Sequence, residues 1–174
     1  MKAKQKRVEL LVSLLSFVYQ QYNIWFYLNS NKKFLPKDHN FQNVLLNTLL
    51  RGYILGLASL LDPLNDSSGN LNISIYLIDD ADVILRKKEN KGIIGKVTRL
   101  RSKCLAHNDL DYTLEPEMIS KLNLTHNDTD LLFKTLLKIV IEYANKNNIK
   151  HTIEDLPLEI ERSAEEYVKK MLSI

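Results

Sequence analysis

Residues 41–61, FQNVLLNTLLRGYILGLASLL, form the apolar segment that decides the fold class of this chain. The apolar side chains recur at intervals of three and four, which places them on one face of an α-helix. They are Leu45, Leu46, Leu49, Leu50, Ile54, Leu57 and Leu60. Only Asn47 and Arg51 interrupt this face with strongly polar groups. The pattern predicts an amphipathic helix from about Phe41 to Leu61.

The same helical spacing extends over most of the chain. Turn-forming residues separate the periodic segments, with Pro36 in the first break and Pro63 in the second. The predicted helices span Val8–Phe26 and, with approximate bounds, Phe41–Leu61, Ile73–Lys87, Ile93–His107, Asp128–Asn147 and Leu158–Leu172. We expect Thr125 or Asn127 to cap the fifth helix. A short helical turn is also allowed after Pro116. The best strand candidate, NISIY at 72–76, is too short and isolated to build a sheet. We therefore predict an all-α, single-domain bundle of about five to six helices over residues 1–174.

Composition limits the class of protein. The chain has 174 residues, which is the length of one ordinary domain. Its single cysteine, Cys104, excludes an internal disulfide framework. The net charge of +3 permits contact with nucleic acid without arguing for it. The basic, apolar N-terminus imitates a secretory signal, but Glu9 interrupts it and no cleavage pattern follows. Because polar residues also break every long apolar stretch, we expect a cytoplasmic protein with no membrane span.

The motifs of metal and phosphate chemistry are absent from the sequence. There is no Gly-rich phosphate loop, no CxxC pair and no HExxH. The four histidines, His39, His107, His126 and His151, are scattered along the chain and form no i,i+4 pair. The sequence therefore predicts no bound metal and no cofactor.

Residues 99–111, RLRSKCLAHNDLD, hold the best candidate for chemistry. Arginine binds phosphate through a planar fork of donors, and histidine exchanges protons near neutral pH. Arg101 and His107 together would suffice to cleave RNA without a metal. On a regular helix their side chains point about 120° apart, so the helix ends or distorts there, or the pair forms across a subunit interface. A charged helix terminus is the competing interpretation, and Cys104 beside His107 is better explained as a small buried residue than as a nucleophile.

The motif resembles the Arg–x(4–6)–His signature of the HEPN superfamily, and it is most similar to the abortive-infection-type branch. The order of three segments strengthens the resemblance: LASLLDP at 57–63, NLNISIYLI at 70–78, and then RSKCLAHND at 101–109. The resemblance covers about residues 5–148 and leaves 149–174 as an additional C-terminal helix. It implies a helical bundle, commonly dimeric, with the two motifs facing each other across the interface. Many members are metal-independent ribonucleases of toxin or phage-defence systems, whereas others are inactive RNA-binding or protein-binding modules.

The resemblance assigns Arg101 and His107 as catalytic residues. The supporting or RNA-binding candidates are Ser102, Lys103, Asn108, Asp109, Asn47 and Arg51. Ser102 departs from the family pattern, in which Asn, Asp or His is commoner at that position. We expect a homodimeric RNA endonuclease of a toxin–antitoxin or abortive-infection system, with RNA and an antitoxin or defence protein as partners. An inactive HEPN module and a structural helical interaction protein are the alternatives.

Overall fold

The chain is all-helical in the computed structural model, which describes residues 2–62, 74–78, 81–85, 88–106, 124–151, 153 and 155–172. The α-helices are α1 Lys2–Ser30, α2 His39–Leu60, α3 Ala81–Leu85, α4 Lys88–Ala106, α5 His126–Lys146 and α6 Leu156–Leu172, with 3₁₀ turns at Lys32–Phe34 and Ile75–Leu77. Five of these helices are long and α3 is a little over one turn. The described residues contain no strand. The predicted all-α bundle is therefore confirmed.

Helix α1 lies at the centre of the bundle and packs against α2, α5 and α6. Its inward face is buried because the apolar residues return every three or four positions. The buried residues on α1 include Leu11, Leu15, Val18, Tyr19 and Tyr22. Helix α4 closes the other side of the bundle, where it packs against α2 and α5. This arrangement brings the end of α2 close to the last turns of α4.

Two glycines let α1 and α2 approach closely. A Cβ atom on Gly56 would lie 2.6 Å from Cγ2 of Val18, and one on Gly52 would lie 2.8 Å from Oε1 of Gln21. At Gly56 the branched Val18 side chain would have to shift, whereas at Gly52 the flexible end of Gln21 could move aside. The spacing of four residues puts both glycines on the same face of α2. The α1–α2 interface therefore depends on small residues as well as on apolar ones.

Local capping sets where several helices begin. The Asp38 carboxylate accepts hydrogen bonds from the backbone N–H groups of Asn40 and Phe41, at 2.9 and 3.1 Å, and so starts α2. Thr125 and Asp128 form a reciprocal capping box at the start of α5. Of the two predicted caps for this helix, Thr125 is the one that the structure uses.

The prediction of a continuous third helix from about Ile73 to Lys87 is wrong. Ser74 caps a 3₁₀ turn by accepting from the Tyr76 backbone N–H, and Ile78 then adopts an extended conformation with φ −101° and ψ 117°. The extended residue interrupts the helical hydrogen bonds before α3 begins. Helix α4 starts at Lys88, five residues earlier than predicted. The turn predicted after Pro116 lies outside the described residues.

Helix α2 is also the one described helix that passes a test for a membrane span. Residues Asn40–Leu60 are long and apolar enough by length and composition, with a mean hydropathy of 1.2 in the best window. Buried residues make up 39% of that window, and core helices of soluble bundles pass the same test. This observation is weak evidence for a span.

Candidate functional site

An ion pair joins the predicted motif arginine to the end of α2. Nη1 of Arg101, in the last turns of α4, contacts Oδ1 of Asp62, which lies just beyond α2. The Arg101 side chain is 36% exposed and that of Asp62 is 21% exposed. The carboxylate thus orients the guanidinium while part of it stays open to solvent. A partly exposed, oriented guanidinium is suited to bind a phosphate.

Ser74 ties a third segment to the same place. Its Oγ lies 2.5 Å from the Asp62 carbonyl oxygen and 3.1 Å from the Leu60 carbonyl oxygen. The hydroxyl has one proton to donate, so the two carbonyls share it. The segments around Asp62, Ser74 and Arg101 are far apart in sequence, yet they meet at one end of the bundle. These are the three segments whose order carried the sequence resemblance.

The outer face of α4 continues from this point with hydroxyl and cationic groups. Arg99 and Ser102 are exposed, whereas Val97 and Leu100 on the opposite face of the helix are buried in the core. The Ser102 hydroxyl donates to the Thr98 carbonyl oxygen at 3.1 Å, which is a bond within its own helix. The proton of this hydroxyl is therefore used within α4.

A salt bridge holds α4 against α5. Nζ of Lys96 lies 2.8 Å from Oδ2 of Asp128, the capping-box residue of α5. Burial opposes ionisation of Asp128, but the hydrogen bonds from Lys96 and Thr125 outweigh it and lower the pKa of this carboxyl. Asp128 is therefore charged at neutral pH, and its negative charge also suits the N-terminus of a helix.

The other predicted site residues divide into two groups. Asn47 and Arg51 are half-buried on α2, about three helical turns or more from the Asp62 end. The structure therefore does not place them beside the Asp62–Arg101 pair. His107, Asn108 and Asp109 lie outside the described residues, and of Lys103 only the backbone, within α4, is described. The relative position of Arg101 and His107 thus remains a prediction.

Sequence reasoning missed Asp62 as the partner of Arg101. The two residues are 39 positions apart, and no local pattern connects them. The one available signal was the acidic residue in LLDP, a segment that the resemblance had already marked.

Sequence reasoning also missed a polar cluster between α1, α5 and α6. The Tyr19 hydroxyl lies 2.5 Å from Oε1 of Glu161 and 3.2 Å from Oδ1 of Asp130. Burial and the two neighbouring carboxylates raise the Tyr19 pKa, so the hydroxyl keeps its proton. Nearby, the Tyr22 hydroxyl lies 2.5 Å from Nδ1 of His126. Burial raises the Tyr22 pKa as well, so this hydroxyl keeps its proton.

Neither location holds a set of metal ligands among the residues that the structure describes. Among the described parts of the chain, no three His, Cys, Asp or Glu side chains come together as a ligand set. In the polar cluster, the two carboxylates converge on a tyrosine hydroxyl.

No family model, no curated protein and no solved structure matches this chain. Membership of the HEPN superfamily therefore rests on the resemblance of the sequence and stands as a proposal.

Proposed function

We propose that this chain is a metal-independent RNA endonuclease of the HEPN type that serves a toxin–antitoxin or abortive-infection system as a homodimer. The observation that carries the proposal is the meeting of Asp62, Ser74 and Arg101. A site that assembles from three separated segments needs each of them in place. This convergence supports reading the three segments as parts of one motif.

The chemistry assigned to the pair is transesterification at a ribose phosphate. His107 accepts the proton of the 2′-hydroxyl, and the 2′-oxygen attacks the adjacent phosphorus. The bond from phosphorus to the 5′-oxygen breaks, and that oxygen takes a proton from solvent while His107 returns the proton that it accepted to solvent. The products are a 2′,3′-cyclic phosphate and a 5′-hydroxyl. Arg101 stabilises the negative charge that develops on the phosphoryl oxygens, which a positioned cation does well in a partly desolvated site.

A second candidate is an HEPN module that binds RNA or a protein without cleaving it. The contact that favours it is again the Asp62–Arg101 pair, because the carboxylate neutralises the cation that the reaction would use. In the catalytic interpretation, the incoming phosphate competes with Asp62 for the guanidinium. In the non-catalytic interpretation, the ion pair persists and serves the fold.

Incubation of the purified protein with end-labelled RNA in excess EDTA tests the proposal. The wild type should cleave and leave a cyclic phosphate end. Arg101→Ala and His107→Ala should each lower the rate by about 100-fold or more. Arg99→Ala is the matched control, because Arg99 is an exposed arginine two positions earlier on the same helix. It should retain most of the activity.

Two results would reject the catalytic assignment. One is cleavage that appears only when a divalent metal is added. The other is equal activity in Arg101→Ala, Arg99→Ala and wild type. If no variant cleaves, RNA binding that weakens steeply with salt supports the non-catalytic RNA module, because phosphate contacts release counterions. An affinity that does not change with salt concentration would contradict phosphate contacts and point to a protein partner instead of RNA.

A further inference from the structure

A cleft lies beside the polar cluster of Tyr19, Asp130 and Glu161, away from the Asp62–Arg101 site. It encloses about 270 Å³ between α1, α5 and α6. Drug-sized ligands occupy pockets of roughly 300–1,000 Å³, so this cleft suits a single functional group or a small molecule. Its walls include Asn23, Phe26 and Tyr27 from α1, Asp130 and Lys134 from α5, and Glu161 from α6.

Two acceptor atoms of the cleft have no donor among the described residues. Asn23 is 2% exposed, and its Nδ2 donates to the Tyr19 carbonyl oxygen at 2.9 Å, which leaves its Oδ1 without a described partner. Glu161 accepts the Tyr19 hydroxyl on Oε1, and its Oε2 accepts from no described group. Asn23 and Glu161 both line the cleft, so a donor that enters it can reach these oxygens. The cleft therefore offers two acceptor oxygens to an incoming N–H or O–H donor.

The charge of the cleft favours a cation. Asp130 and Glu161 contribute two carboxylates, and Lys134 contributes one ammonium group. Nζ of Lys134 lies 2.7 Å from Oδ2 of Asp130, and its side chain is 58% exposed, so it sits at the rim. One negative charge is left over. The Tyr19 hydroxyl does not cancel it, because one neutral O–H is shared between both carboxylates.

The remaining wall is aromatic. The Phe26 ring stacks on His126 with a centroid distance of 4.4 Å, and Tyr27 meets Phe26 edge-on at 5.8 Å. A flat cation gains from contact with such rings, and a guanidinium does so more often than an ammonium. Its five N–H donors also lie in one plane, which suits acceptors that project from two different helices.

We propose that this cleft binds a guanidinium group, carried by an arginine of a partner protein or by a small molecule such as agmatine. The group pairs with Glu161, donates to Oδ1 of Asn23 and lies against the ring of Phe26. Both sources present the same chemistry, and the test separates them. The proposal does not depend on ribonuclease activity, because it uses none of the residues of the Arg101 site.

Isothermal titration of the 174-residue chain tests the proposal with four probes. They are agmatine, the peptide acetyl-Gly-Arg-Gly-amide, the same peptide with neutral citrulline, and the same peptide with lysine. At least one guanidinium probe should bind saturably. The citrulline peptide should bind about tenfold more weakly than the arginine peptide or worse, because it lacks the charge-assisted bond to a carboxylate. Tighter binding of the peptide indicates a protein partner, and tighter binding of agmatine indicates a small ligand.

Variants locate the binding. Glu161→Gln keeps an acceptor for Tyr19 and removes the charge, so it should weaken the guanidinium probes about tenfold. Glu159→Gln is the control, because Glu159 is an exposed glutamate at the start of the same helix. It should bind like wild type. Circular dichroism verifies that both variants fold. Equal affinity for arginine and citrulline peptides, equal affinity for arginine and lysine peptides, or undiminished binding by Glu161→Gln would overturn the proposal.

Discussion

The guanidinium of Arg101 forms an ion pair with the carboxylate of Asp62 and thereby joins the last turns of α4 to the end of α2. Both side chains keep contact with solvent, so the pair is accessible as well as structural. The functional question is whether Arg101 exchanges this partner for a phosphate. The larger the coupling free energy between Asp62 and Arg101, the harder it is for a phosphate to displace Asp62.

A double-mutant cycle measures this energy. Asp62→Ala, Arg101→Ala and the double variant should show a coupling of about 0.5–1 kcal/mol in urea unfolding, the usual range for a partly exposed pair. The coupling should shrink in 1 M salt, because salt screens exposed charges. A coupling of zero at low salt would mean that the pair does not contribute to folding.

Subunit mixing tests where the proposed catalytic site forms. Arg101→Ala and His107→Ala homodimers should each be inactive. After subunit exchange, a heterodimer retains one intact arginine and one intact histidine on opposite chains. Part of the wild-type rate should return if the site is shared across the two-fold axis. With exchange verified by a tagged subunit, a mixture that stays inactive would place the pair within one chain or outside the site.

Substitution of two glycines by alanine should have opposite effects on stability. Gly56→Ala should lower the free energy of unfolding by about 1–3 kcal/mol, because the new Cβ overlaps Val18 across the α1–α2 interface. Gly92 on α4 is exposed, and a Cβ there meets nothing within 4 Å. Gly92→Ala should therefore raise the free energy of unfolding by up to about 1 kcal/mol through helix propensity. Urea denaturation measures the free energy of unfolding of both variants. An equal change in the two variants would refute the close approach of α1 and α2 at Gly56.

Removal of the Asp128 charge should change the pH dependence of stability. The folded protein lowers the pKa of Asp128, so its contribution is present above the ordinary aspartate pKa of about 3.9 and is lost as the pH falls through the lowered value. Asp128→Asn should therefore be less stable than wild type at pH 7, and the difference should narrow below about pH 4. Lys96→Met should remove part of the same acid dependence. Urea unfolding at pH 7, 5 and 3 measures the free energy of unfolding of both variants. A stability difference between wild type and Asp128→Asn that is the same at all three pH values would contradict the lowered pKa of Asp128.

Loss of the Tyr19 hydroxyl should be costly. In Tyr19→Phe, Asp130 and Glu161 lose the donor that they share while the ring stays stacked on Phe133. The free energy of unfolding should fall by about 1–3 kcal/mol. Tyr167→Phe is the control, because Tyr167 is 58% exposed and its hydroxyl can reach water. Thermal melting of the two variants side by side measures the difference, and a Tyr19→Phe protein as stable as its control would mean that the hydroxyl does not bind the carboxylates.

Local sequence patterns determined the helical class of this protein and the approximate bounds of most helices. The apolar spacing in α2 has a period near 3.6, and that period is a property of neighbouring residues. The cap at Thr125 was predictable for the same reason, since it needs only Asp128 three positions later. The third predicted helix failed because apolar spacing near Ile78 does not reveal that this residue is extended.

Tertiary structure alone decided which distant groups meet. The partner of Arg101 is 39 positions away, and Tyr19 reaches Glu161 across 142 positions. The need for glycine at position 56 also became visible only when Val18 lay against it. The physical reason is that hydrogen bonds and close contacts act over a few ångströms in space, whereas a sequence pattern records only neighbours along the chain. Packing of α1 against α2, α5 and α6 brings residues that are far apart along the chain into contact in space.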